Sequence, residues 1–106
     1  AHDLIVVIAN QGSTDLVMDA AREAGATGGT VIHAKGTGTD LVRKFFGVSI
    51  ASEQEMVFIL ARSEAKKPIM KAIMAKAGIQ SAAQSLVFSL PVGDIAGLRE
   101  LEQPET

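Results

Sequence analysis

Two stretches of this chain repeat each other at a fixed offset, and the repeat limits the fold more than any other feature. Ala21-Arg22-Glu23-Ala24-Gly25 matches Met74-Ala75-Lys76-Ala77-Gly78, and Val6-Val7-Ile8-Ala9 matches Ile59-Leu60-Ala61-Arg62, both 53 residues apart. In each half an apolar run precedes a helical pattern that stops at glycine, the residue that most readily leaves a helix with positive φ. A second short strand follows. The chain therefore reads as two strand–helix–strand units in tandem.

The element pattern agrees. Leu4-Ile5-Val6-Val7-Ile8-Ala9 and Met56-Val57-Phe58-Ile59-Leu60-Ala61 are continuous, largely β-branched runs, as expected of strands central in their sheet. Between Asn10-Gln11-Gly12 and Gly25, the residues Leu16, Val17, Ala20, Ala21 and Ala24 follow helical spacing, with Ser13 or Thr14 as capping hydroxyl and Asp15 in the first turn. A second helix spans about 65–77. Ile69, Ala72, Ile73 and Ala77 form its buried side, Lys66, Lys67, Lys71 and Lys76 its wet side, and Pro68 falls in its first turn. Thr30 to Lys35 and Leu86 to Leu90 complete the strands, the latter closed by Pro91. Two βαβ halves joined in this way give an α+β, ferredoxin-like βαββαβ sandwich with one antiparallel sheet and two helices. Right-handed crossovers put both helices on one sheet face. The other face then calls for a second copy, and an oligomer is expected.

The totals exclude several functions. The 106 residues suit one domain, expected over 1–100, with 101–106 as a frayed tail. With no cysteine, disulfides and thiolate chemistry are ruled out, and a net charge of −2 without a basic run argues against nucleic-acid binding. No apolar run approaches the ~20 residues of a membrane span, and a cytoplasmic location is expected. The start at Ala1 without Met suggests processing or a piece of a longer chain. His33 on a strand and His2 in a terminal arm form no catalytic constellation, and no nucleophile elbow, metalloprotease helix or Walker loop occurs. An enzyme is not expected. With carboxylates as the only remaining ligands, a metal centre ranks last.

Binding is better supported. Five glycines fall between Gly25 and Gly38 around the Thr30–Ala34 strand, and bare backbone at such turns suits anions and nucleotides. Lys35, Arg43, Lys44 and Arg99 are candidate cations, although turn chemistry alone also accounts for the glycines. From Gly36 to Glu53 no clean period appears. The stretch is nonetheless apolar, with Leu41, Val42, Phe45, Phe46, Val48 and Ile50, so part of it should pack or dock.

Three motifs in order resemble the P-II family of nitrogen-regulatory proteins. Thr27-Gly28-Gly29-Thr30-Val31 is similar to its Thr-Gly-x-Thr-Val, Lys35-Gly36-Thr37-Gly38 to its Lys-Gly-x-Gly, and Phe88-Ser89-Leu90-Pro91-Val92 to its Phe-Val-Leu-Pro-Val. The resemblance implies a homotrimer that holds an adenine nucleotide in clefts between subunits. It also implies docking of a loop, here 39–54, onto a transporter, enzyme or regulator. Carried over, Gly28, Gly29 and Thr30 face the base from one subunit, and Gly36 and Gly38 approach from the next, with Lys35 and Arg99 nearby. Arg43, Lys44, Phe45 and Phe46 fall on the docking loop.

Departures are equally specific. Where the family's phosphate loop reads Thr-Gly-x-x-Gly-Asp-Gly-Lys, this chain has Ala77-Gly78-Ile79-Gln80-Ser81-Ala82-Ala83-Gln84-Ser85. Two glycines and the lysine are gone, and at about 1.5–3 kcal/mol per charge-assisted bond a triphosphate site weakens by several kcal/mol. Of the paired arginines after Pro-Val only Arg99 remains, the other position being Gly97. The chain has no tyrosine for uridylylation, and its loop is shorter. The expectation is a divergent P-II-like sensor without a certain cofactor. The alternative is an interaction module of a longer protein whose glycines serve turns alone.

Overall fold

The computed structural model describes residues 1–35 and 53–97, with Lys35 described by its backbone. Strand β1 (His2–Asn10) leads to helix α1 (Thr14–Glu23) and strand β2 (Thr30–Lys35). Strand β3 (Glu53–Arg62) then passes through a single 3₁₀ turn, Ser63–Ala65, into helix α2 (Lys66–Ala77) and strand β4 (Leu86–Val92). The sheet order is β2-β3-β1-β4, with every neighbouring pair antiparallel. This is the ferredoxin-like βαββαβ arrangement expected from the repeat, and the two apolar runs hold its centre.

Strand alternation sorts the side chains onto two faces. Ile5, Val7 and Ala9 of β1 and Val57, Ile59 and Ala61 of β3 point to the helices. There they meet Val17, Met18, Ala20 and Ala21 of α1 and Ile69, Ile73 and Ala77 of α2. Ile5, Val7, Val17, Val57, Ile59, Ile69 and Ile73 are wholly buried, and each is worth about 1.5–3 kcal/mol of transfer free energy.

The opposite face has no helix over it among the described residues. Ile32, Leu86, Phe88 and Leu90 stand 42, 53, 39 and 50% exposed on that side, with Leu4, Ile8, Met56, Phe58 and Leu60 half-buried between them.

Several local expectations are corrected by packing. Leu16 lies exposed and Met18 takes its place in the α1 stripe, because the core lies toward positions 17, 18, 20 and 21. Neither Ser13 nor Thr14 caps α1 by a side-chain hydrogen bond, since Thr14 donates its hydroxyl to Glu55 instead. His2 belongs to β1, opposite Arg62 and Val92, and is no loose arm. Pro91 does not close β4, which continues to Val92. As an edge strand, β4 has one side free of ladder bonds among the described residues and tolerates a missing N–H. Lys66 leaves the wet side of α2 and lies half-buried on Asp3 at 3.0 Å.

Gly25 does end α1 with φ +112°, and Ala26 N–H donates to the Ala21 carbonyl at 3.0 Å. Gly78 is needed for space: a Cβ there would lie 2.4 Å from the Met74 carbonyl oxygen.

Candidate functional site

A shallow cleft of about 320 Å³ opens on the uncovered face, lined by Leu4, Thr27, Gly28, Gly29, Thr30, Phe58 and Leu60. The strand register explains it. β2 begins at Thr30 opposite Phe58, and Leu60 pairs with Leu4 on the next row. Where a β2 side chain would continue that row stands Gly28, so the row ends in a trough. A Cβ on Gly28 would meet nothing within 4 Å.

Gly29 serves packing instead. A Cβ there would press to 3.1 Å on the Met18 sulfur and the Phe58 carbonyl oxygen, and to 3.2 Å on Val57. Of the three residues expected to face a base, Gly28 and Thr30 thus shape the cleft opening, while Gly29 lets the chain lie close on the core. The floor is apolar, and Thr27 and Thr30 add two hydroxyls at the rim.

A polar cluster gathers at the sheet end from which the 36–52 segment departs. Glu55, at an inward position of β3, accepts from the Thr14 hydroxyl, and the His33 Nδ1 lies 3.8 Å from its Oε2. The Thr14 hydroxyl, with help from the Gly12 backbone N–H, holds the Glu55 carboxyl below its ordinary value against the opposing effect of burial. Asn10 joins three elements. Its Nδ2 donates to the Ala82 carbonyl at 3.2 Å and to Gln84 Oε1 at 3.1 Å, and its Oδ1 accepts from Gln54 Nε2 at 3.4 Å. Its backbone N–H donates to the Ala83 carbonyl at 2.9 Å. One asparagine thereby ties the end of β1, the start of β3 and the α2–β4 turn.

At the far end of the sheet Asp3 accepts from the Ser63 hydroxyl and from Lys66, and these two bonds, the first foremost, lower its pKa. Neither cluster stood out in the sequence. The available signal was parity: Asp3 and Glu55 occupy inward positions beside Ile5 and Val57.

The structure brings Gly28, Gly29 and Thr30 together with Leu4, Phe58 and Leu60. It carries the Lys35 backbone to the end of β2 opposite Glu53, at the root of the 36–52 segment. Gly36, Gly38, Arg43, Lys44, Phe45, Phe46 and Arg99 lie outside the described residues, as does the 101–106 tail. Of the expected docking stretch 39–54, Glu53 and Gln54 belong to β3. His33 is exposed. Among the described residues no three His, Asp or Glu side chains converge as metal ligands, and no helix is long and apolar enough to cross a membrane.

Fold and cleft define a ferredoxin-like domain with an uncovered apolar sheet face and a glycine-shaped trough on that face. The chain belongs to the nitrogen regulatory protein P-II family, whose model matches residues 2–102. Among solved structures it is similar to PII of Arabidopsis thaliana bound to citrate, at 18% identity and a TM-score of 0.68, covering 92% of this chain and 81% of that one. It is also similar to a PII-like signaling protein of Thermus thermophilus, at 15% identity and a TM-score of 0.59, covering 84% of this chain and 85% of that one. No individual curated protein matches the sequence. The family is one of signal-transduction regulators, and the resemblance carried by the three sequence motifs is thereby shown at the level of family and fold.

Proposed function

We propose that this chain is a signalling module that forms a homotrimer through its uncovered sheet face, binds a small effector in clefts at the subunit boundary, and regulates a partner protein through the 39–54 segment. The observation that carries the reading is the trough at Gly28. It lies on the same face as the exposed Ile32, Leu86, Phe88 and Leu90, so a subunit covering that face would also wall the cleft. An apolar face of this extent on a small domain marks an interaction surface. An adenine nucleotide or another small anion is the effector class, and a transporter or an enzyme in the cytoplasm is the regulated partner. The module itself catalyses nothing under this reading.

The polar cluster supplies a route from effector to partner. Asn10 hydrogen-bonds both the α2–β4 turn and Gln54, the second residue of β3, so a shift of that turn is felt where the 39–54 segment joins the sheet.

The test is thermal melting with ATP, ADP, AMP, cyclic AMP and 2-oxoglutarate, each with and without Mg²⁺. A ligand that binds the folded state alone raises stability by about 2.7 kcal/mol at a hundred times its dissociation constant. A shift with one of them identifies the input. No shift with any would leave the alternative, an interaction module whose glycines serve turns, a role that Gly25 already fills.

A further inference from the structure

We infer that the outward face of α2 is a second docking surface, and that it takes an acidic segment of a partner protein with an apolar anchor at one end. The inference goes beyond the effector reading and does not depend on it, because α2 lies on the helix side of the sheet, across from the Gly28 cleft.

The first observation is a stripe. Lys67, Lys71, Met74 and Ala75 recur at the spacing of one helix face, while Ile69, Ile73 and Ala77 occupy the buried one. All four are exposed. At 1.5 Å per residue the stripe runs for about 12 Å.

The second is charge. Helix α2 carries four lysines and no acidic residue. Two of the lysines are engaged within the chain, Lys66 with Asp3 at 3.0 Å and Lys76 with Glu23. Lys67 and Lys71 have no ion-pair partner among the described residues, and Glu64, just before the helix, pairs with neither. They stand one turn apart in the N-terminal half of α2, the positive end of its dipole. Side chains and backbone thus favour carboxylates at the same place.

Shape gives the third observation. Where the stripe reaches the end of the helix, a cleft of about 430 Å³ opens between Met74, Ala75, Gly78, Ile79, Gln80 and Ser81. Met74 and Ile79 stand 44 and 37% exposed in it. An apolar hollow with a polar rim receives one projecting side chain, as the anchor pockets of protein interfaces do. A lipid surface rewards the opposite shape, with apolar side chains that project into the bilayer. The occupant therefore carries two carboxylates one turn apart and, about 10 Å along, a large apolar side chain.

The experiment is fluorescence anisotropy of labelled peptides titrated with the full chain. The probe is a helix-forming peptide of about four turns, with two glutamates one turn apart near one end and two leucines near the other, made in both chain orders. Its control replaces the glutamates by glutamine. The acidic peptide in one of the two orders should bind at least about tenfold tighter than the control, and added salt should erode that advantage. This arm uses the unaltered chain, so no folding defect can imitate its result.

Lys67→Glu with Lys71→Glu supplies the second arm. Both positions are exposed, so the melting temperature should hold while the acidic peptide weakens by about tenfold or more. A peptide with lysines in place of the glutamates should bind this variant better than it binds the wild type. Ile79→Ser should weaken the acidic peptide as well, by about threefold or more.

Acidic and glutamine peptides that bind within about threefold of each other overturn the inference, and so does an affinity unchanged in the lysine variant. No binding of either chain order at about 1 mM overturns it too. Capture of the chain by phosphatidylserine vesicles without peptide binding would assign the stripe to a lipid surface and overturn it likewise. Each of these outcomes leaves the effector reading standing.

Discussion

The two faces of the sheet are built from the same four strands, yet they finish differently. On one, Ile5, Val7, Val57 and Ile59 are sealed under α1 and α2. On the other, Leu86, Phe88 and Leu90 of the edge strand β4 remain open, although they are no less apolar. The covered face supplies the cohesion that a single chain needs. The open face holds apolar surface that folding alone does not remove from water, and that surface frames the Gly28 trough. Stability is thus concentrated on one side of the sheet, and the effector recognition proposed above on the other.

If that division is right, substitutions on the two faces must separate in their effects. Ile59→Ala, in the centre of the covered face, should cost about 2–5 kcal/mol in urea unfolding, because the site is walled by both helices and cannot collapse fully. A loss under about 1 kcal/mol would show that the helix layer is not the main core.

Gly78→Ala should cost about 1–3 kcal/mol, since its Cβ would strike the Met74 carbonyl and the end of α2 would have to move. Retained stability would mean that the turn after α2 is looser than its hydrogen bonds suggest.

Acid should act next, through the two buried carboxylates at opposite ends of the covered face. Asp3 and Glu55 both have folded pKa values below their ordinary 3.8 and 4.5. Their contribution is therefore complete above about 4.5 and is lost as pH falls through the lower folded values. Stability against pH should decline below that point, and less steeply in Asp3→Asn and Glu55→Gln, where part of the loss is already taken. An unchanged acid slope in the double variant would remove the carboxylates from the account.

The smallest effect belongs to Ser85→Ala. The Ser85 hydroxyl is buried with no hydrogen-bond partner among the described residues, so its removal should leave stability unchanged or raise it by up to about 1 kcal/mol in the same unfolding measurement. A clear loss would reveal a partner that the hydroxyl does have.

The fold was legible because its strongest signals are local and repeated. The matching helix ends at Gly25 and Gly78 and the apolar runs of β1 and β3 fix element order, and the crossover rule fixes the layer. Signals that depend on tertiary partners were not legible. Thr14 reads as a helix cap from its position, and only the approach of Glu55 from β3 shows why its hydroxyl turns away. Lys66 reads as wet until Asp3 is seen beneath it, and Pro91 reads as a stop until β4 proves to be an edge.

The site was half legible. Gly28-Gly29-Thr30 was visible as a motif, but the contrast between Gly28, open to the cleft, and Gly29, pressed on the core, needs the packing of Met18 and Phe58. The role of Asn10 needs three elements at once, and no single stretch of sequence holds them.

The account stands most directly on what the open face does, and sedimentation equilibrium of the wild-type chain and of Leu90→Asp tests it. The account predicts three chains per particle for the wild type, and a folded single chain with unchanged helix and strand content for Leu90→Asp. A wild type that sediments as one chain at micromolar concentration would contradict it, and so would an intact trimer in Leu90→Asp.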